Sequence, residues 1–149
     1  MKVLFVCTGN TCRSSMAALL AAHELEKRGA AGAVEILSAG TATISGLPAS
    51  DHAIEAMAEM GLDLSKHRST MLDPGLVAES DIILTMTASH RANILSIYPE
   101  ALGKVFVLGD YAGGGPDVPD PFGLSREAYR NCAVLLSGMV TAAMDRLLS

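Results

Sequence analysis

Val3-Leu4-Phe5-Val6-Cys7-Thr8-Gly9-Asn10-Thr11-Cys12-Arg13-Ser14-Ser15 opens the chain, and its reading decides the rest. Four apolar residues suit a buried parallel strand, Gly9 and Asn10 suit a tight turn, and the residues from Met16 onward suit a helix. A strand, a loop and a helix start therefore meet within thirteen residues. Backbone N–H groups at a helix start lack intrahelical partners and carry the positive end of the helix dipole, so such a loop can cradle an anion. Arg13 adds a planar, permanently charged fork suited to phosphate. Cys7 opens the loop in the same positive field, which favours thiolate over thiol.

A nucleophilic sulfur at the floor of an oxyanion cradle is the Cys-x5-Arg-Ser arrangement of phosphatases that work through a phosphocysteine, here Cys7 to Ser14. The alternative makes Cys7 a small buried hydrophobe and Arg13 a surface charge. A metal site fits less well: Cys7 and Cys12 are spaced as in some iron–sulfur loops, but a four-thiolate cluster needs one thiol more than the three present. No Gly-Lys-Ser/Thr follows, so this is not a Walker loop. Neither a metal nor another cofactor is expected.

With 149 residues the chain is expected to form one domain, 1–149, with a sizeable core. Eleven Lys and Arg against sixteen Asp and Glu give a net charge of -5, so charge gives no reason to expect nucleic acid or an anionic membrane as a partner. A single Lys2 before four apolar residues does not make a signal peptide, and no apolar run is expected to reach transmembrane length. Three cysteines without a secretion signal favour a cytoplasmic enzyme with free thiols.

Strand and helix patterns alternate along the chain. A helix is expected over 13–28, with Lys27 and Arg28 at its negative end before Gly29. Next come a strand through Val34, Ile36 and Leu37 ending at Ser38-Ala39-Gly40, a loop over 41–49, and a helix capped by Ser50 or Asp51 and closed by Gly61. After an irregular stretch, Pro74 opens a short helix. The third strand covers 81–86, a helix begins at Thr87 or Ser89, the fourth strand covers 104–108, and a Gly/Pro/Asp-rich loop over 109–123 leads to a long helix capped by Ser125. The expected fold is α/β in three layers, a four-stranded parallel sheet covered by helices on both faces. Ligands of such sheets lie beyond the carboxyl ends of the strands, where the loop after Val6, Ser38, residues 85–89 and the loop from Gly109 converge.

A thiolate attacking phosphorus needs an acid to protonate the departing atom. Asp120 in Asp117-Val118-Pro119-Asp120-Pro121-Phe122-Gly123 is the best candidate, because two prolines restrict its backbone; Asp117 is the rival. The four histidines lack metal spacing, with His23 and His90 expected as solvated helix residues and His52 near a helix start. The eight Met are expected as core filler.

At this point the chain resembles the low-molecular-weight protein tyrosine phosphatase family over essentially its whole length. The matching pieces are Cys7 through Ser14, Ser38-Ala39-Gly40, His67, residues 81–86 and Asp120-Pro121-Phe122. The resemblance implies Cys7 as nucleophile, Arg13 as phosphoryl ligand and Asp120 as general acid. It also implies a phosphate-binding loop of Thr8, Gly9, Asn10, Thr11, Cys12, Arg13 and Ser14, with Asn10, Ser14, Ser38 and His67 supporting that loop by hydrogen bonds. Phosphorylated proteins would be the substrates, and inorganic phosphate or vanadate the active-site ligands.

Two departures bear on substrate. Only one aromatic, Phe122, follows Asp120-Pro121, and Ile44 stands where some relatives place a large aromatic, so the wall for a phosphotyrosine ring is thin. Thr11 resembles the bacterial protein-arginine-phosphatase branch, where the tyrosine branch commonly has Ile or Leu. A β-branched hydroxyl residue can crowd a wide ring and offer a polar contact to a slim guanidinium. Phosphoarginine is therefore favoured over phosphotyrosine, with Thr11, Ile44 and Phe122 setting specificity. Cys12 suggests a Cys7–Cys12 disulfide under peroxide, with a plain buried thiol the equal alternative. A thiol-dependent arsenate reductase would need two further relay thiols where only Cys132 remains, and a non-catalytic phosphate-binding module would not need both Cys7 and Asp120.

Overall fold

The computed structural model describes residues 1–149, with four parallel strands: β1 (Lys2–Cys7), β2 (Glu35–Gly40), β3 (Ile82–Thr85) and β4 (Val105–Val107), in the order β2-β1-β3-β4. Six helices connect or flank them: α1 (Arg13–Lys27), α2 (Asp51–Glu59), α3 (Pro74–Glu79), α4 (Ala88–Ile97), α5 (Leu108–Tyr111) and α6 (Arg126–Leu148). β1 pairs with β2 from Lys2↔Glu35 to Cys7↔Gly40 and with β3 from Val3↔Ile82 to Val6↔Thr85. The first crossover leaves β1 toward β2 and the next returns past β1 to β3. Strand order thus reverses between β1 and β3, where the rule for open α/β sheets places the ligand crevice.

Alternation along β1 divides the core. Val3, Phe5 and Cys7 join a cluster with Met16, Leu20 and Leu25 of α1, Met57 of α2, and Leu136 and Met144 of α6. Leu4 and Val6 face the other way, with Ile83, Val105, Val77 of α3 and Ile94 of α4. That gives the three expected layers. Strand β1 is buried on both faces and therefore reads as a continuous apolar run, as central parallel strands do.

Helix ends follow local chemistry. The Thr87 hydroxyl accepts from His90 N, the Asp73 carboxylate from Leu76 N and the Ser125 hydroxyl from Ala128 N. Ser50 stands at the N-cap of α2 without a side-chain capping bond. The expected fourth strand is too long: β4 stops at Val107 and the chain coils at once into α5. Gly109 permits this turn, because a Cβ there would lie 2.5 Å from the Pro116 carbonyl oxygen, and the Gly109 carbonyl accepts from the amides of Gly114 and Gly115. A 3-10 turn at Pro99–Ala101 also went unread.

Helix α6 corrects a further expectation. At 23 residues, with a mean hydropathy of 1.2 over an 18-residue window, it is long and apolar enough to cross a membrane by length and composition. Its stripe of Tyr129, Cys132, Ala133, Leu136, Met139, Val140, Ala143 and Met144 is instead buried at helical spacing in the core beside α1. Leu136 is fully buried whereas Val134 is 66% exposed. Leu136→Ala should therefore lower unfolding free energy by about 2–5 kcal/mol and Val134→Ala by less than about 0.5 kcal/mol, measured by urea denaturation.

Candidate active site

The loop joining β1 to α1 wraps around the Cys7 sulfur. Asn10 N–H approaches Sγ at 3.3 Å, Ser14 N–H at 3.5 Å, and the Ser14 hydroxyl lies 2.9 Å away. The residue that turns the loop is Asn10, at φ 57, rather than neighbouring Gly9. Left-handed backbone in a non-glycine residue costs about 1–2 kcal/mol, and Asn10 offsets this with bonds on every side. Thr70 N–H donates to Asn10 Oδ1 at 2.9 Å, which orients the amide so that Nδ2 donates to Ser14 Oγ at 2.8 Å. With its oxygen thus accepting, Ser14 is free to give its proton to the sulfur. His67 Nε2–H donates to the Asn10 carbonyl at 2.6 Å, and the ring is held below the usual histidine range chiefly by burial. Gly40 closes the back: a Cβ there would sit 2.6 Å from the Thr8 carbonyl oxygen.

Ser38 does not join this network. Its side chain makes no hydrogen bond and instead lines a cleft with Ser15, Leu64 and His67; within reach of the Ser14 hydroxyl is the Ala39 carbonyl, at 3.5 Å. On β2, position 38 pairs with Phe5, two residues short of the strand end that meets the loop.

Cys7, Thr8, Gly9, Thr11, Cys12, Arg13, Asp120 and Phe122 line a cup of about 190 Å³. Arg13 is almost wholly buried; its Nη1 donates to the Val118 carbonyl at 3.1 Å and its Nη2 lies 3.5 Å from Asp120 Oδ2. Asp120 is half exposed and its Oδ1 accepts from Phe122 N–H at 3.1 Å, a local turn that holds the carboxylate over the cup. Asp117 is elsewhere: its carboxylate accepts from Ala88 N–H at the start of α4. Ile44 also lies outside the cup, 74% exposed, in an adjoining open depression that shares Gly9 and Thr11.

All three cysteines are free. Cys12 Sγ contacts the hydroxyls of Tyr129 at 3.3 Å and Ser50 at 3.4 Å, so the serine expected to cap α2 serves this thiol instead. Burial, then the Cys12 contact, pushes the Tyr129 phenol up to about 12, and burial pushes the Cys132 thiol up to about 12. A protonated, buried Cys132 is a poor relay thiol. No cluster of three or more His, Cys, Asp or Glu is placed to hold a metal ion.

A sequence model described as Low molecular weight phosphotyrosine protein phosphatase matches residues 2–148. The chain belongs to this family. Among curated relatives, a protein-arginine-phosphatase of Geobacillus stearothermophilus is 38% identical over 98% of this chain and 95% of its own. A probable low molecular weight protein-tyrosine-phosphatase, EpsP, of Ralstonia nicotianae is 35% identical over 97% and 94%. Among solved structures, a Cys-to-Ser mutant of the YwlE arginine phosphatase with a phosphorylated active-site serine superposes with a TM-score of 0.95 at 35% identity, covering 100% of this chain and 97% of that one. As a low-molecular-weight phosphatase, the protein is a cysteine-dependent protein phosphatase.

In this member the sequence reading missed His90. Expected as a solvated helix residue, it is buried against the loop after β1, with Nε2 2.9 Å from the Thr8 hydroxyl and Nδ1 3.0 Å from the Thr87 hydroxyl. The available signal was Thr87-x-x-His90 at a helix start following the strand beside β1. Burial, then the charge of Arg13, lowers His90 to about 4 against the opposing pull of Asp120 and Asp117. A histidine kept neutral in the folded state stabilises above its unfolded value, and that contribution is lost as pH falls from about 6.5 toward 4. Urea midpoints should therefore drop more between pH 7 and pH 5 in the wild type than in His90→Gln; equal drops would count against the burial.

Proposed function

We propose that this phosphatase removes phosphoryl groups from arginine side chains of proteins through a phosphocysteine on Cys7. Cys7 attacks phosphorus in line while Arg13 and the loop amides hold the three equatorial oxygens, as a loose phosphoryl-transfer state requires. The P–N bond breaks, and Asp120 gives its proton to the departing guanidine nitrogen. Asp120 then takes a proton from water as that water attacks phosphorus, which breaks the P–S bond and releases inorganic phosphate. Asn10, Ser14 and His67 support the loop from behind. In support, a serine placed at the active site of the YwlE relative carries phosphate. The free thiols suit a reducing compartment, and we place the enzyme in the cytoplasm.

The observation that carries the substrate choice is the composition of the cup wall. Thr11 lines it, Phe122 is its one aromatic, and Ile44 stands outside. A ring of phosphotyrosine would have one stacking partner, whereas a guanidinium finds a hydroxyl and a carboxylate. Phosphotyrosine remains the second reading, favoured by the similarity to EpsP.

Side-by-side kinetics on phosphoarginine and phosphotyrosine peptides test this. Wild type should favour phosphoarginine in kcat/KM, and Thr11→Ile should shift that ratio toward phosphotyrosine by about tenfold or more. A tyrosine preference unaltered by Thr11→Ile would overturn the substrate choice. Cys7→Ser should abolish turnover, and Asp120→Asn should slow it about 10²–10⁴-fold; a Cys7→Ser enzyme that still turns over would reject the nucleophile.

A further inference from the structure

Thr8 lines the cup next to Cys7, and the ring of His90 lies behind its hydroxyl. Of the two ring tautomers, the one with a bare Nδ1 gives the Thr87 hydroxyl proton an acceptor, and it is the one assigned. The Thr87 hydroxyl oxygen already accepts the backbone N–H of His90 at 3.1 Å, and its own proton has His90 Nδ1 as the acceptor within reach, at 3.0 Å. Thr87 is itself pinned, because the Thr85 hydroxyl donates to its carbonyl at 2.8 Å. In this assignment Nδ1 accepts, and the single ring proton sits on Nε2 and is donated to Thr8 Oγ1 at 2.9 Å. Thr8 then accepts on its outer side and retains one proton of its own, which can turn toward the cup.

We propose that Thr8 donates this proton as a hydrogen bond to a non-bridging phosphoryl oxygen of the substrate, and that His90 is the positioning residue that aims it. Resting on the phosphocysteine reading, the proposal adds to the loop amides and Arg13 one side-chain donor where negative charge gathers in the transition state. The neutral ring lets Nδ1 accept from the Thr87 hydroxyl, whereas an imidazolium would still donate from Nε2 to Thr8 but would turn the Thr87 hydroxyl away. Burial and Arg13 favour that neutral form, with Asp120 and Asp117 the opposing charges nearby. The placement also follows from topology: the helix after β3 starts at the switch point, directly beside the loop after β1.

Three variants separate this role from a merely structural one, assayed on p-nitrophenyl phosphate with melting temperatures measured alongside. Thr8→Val removes the donor. His90→Asn carries a shorter amide that reaches the Nδ1 position and keeps the Thr87 contact, whereas His90→Gln places a terminal nitrogen near the Nε2 position and keeps the Thr8 contact. Thr8→Val and His90→Asn should each lower kcat about tenfold, their double variant should lose no more than either alone, and His90→Gln should stay within about threefold of wild type. A wild-type kcat in Thr8→Val, losses that multiply in the double variant, or a His90→Gln enzyme as slow as His90→Asn would each overturn the proposal. Cys7→Ser is the control: if it is inactive while Thr8→Val matches wild type, only this inference falls, and if it is active, the underlying chemistry falls.

Discussion

A sulfur ringed by hydrogen-bond donors at the junction of a strand end and a helix start is the constraint on which this structure depends. Cys7 is buried away from water, so the protein has to supply the donors around its sulfur. It supplies them from three directions: the amides of Asn10 and Ser14, the Ser14 hydroxyl, and the positive end of α1, whose first turn contains no acidic residue. In the proposed mechanism the same donors that surround the sulfur meet the oxygens of a bound phosphoryl group. On that mechanism, stabilising the nucleophile and holding the transition state are one arrangement.

That arrangement demands a loop conformation the chain would not otherwise adopt. Asn10 occupies left-handed backbone and is fully buried, a combination that persists only when the surroundings over-determine it. Here they do, through Thr70, Ser14 and His67, and no buried side-chain polar atom in the protein is left without a partner. Gly40 lets β2 approach the loop closely enough to wall it in. The sheet order then brings two further pieces to the same edge: the start of α4 with His90, and the 109–123 segment carrying Asp120 to the guanidinium of Arg13.

Much of this was legible from residues alone, for physical reasons that differ by element. Strand β1 and helix α1 were readable because burial on both faces leaves an uninterrupted apolar run and because a Cys-x5-Arg loop has few other uses. Asp120 was separated from Asp117 only weakly in one dimension; in space Asp117 caps α4 and Asp120 faces Arg13. Ser38 was expected to support the loop, but its position on β2 pairs it with Phe5 and points it to a different cleft. His90 escaped because its partner Thr8 lies 82 residues away, and only the β1–β3 pairing reveals that the two segments are neighbours. The apolar composition of α6 reads equally well as a membrane span until the packing of Leu136 and Met144 into the core is seen.

Transfer of the phosphoryl group to Cys7 is the central claim, and rapid quenching of the enzyme during turnover of a phosphoarginine peptide, followed by mass spectrometric mapping of the phosphorylated residue, tests it most directly. The account predicts a phosphoryl adduct on the peptide bearing Cys7, localised to its sulfur and missing when substrate is withheld. Turnover that proceeds with phosphate on some other side chain, or with no phosphorylated enzyme at any time point, would contradict it.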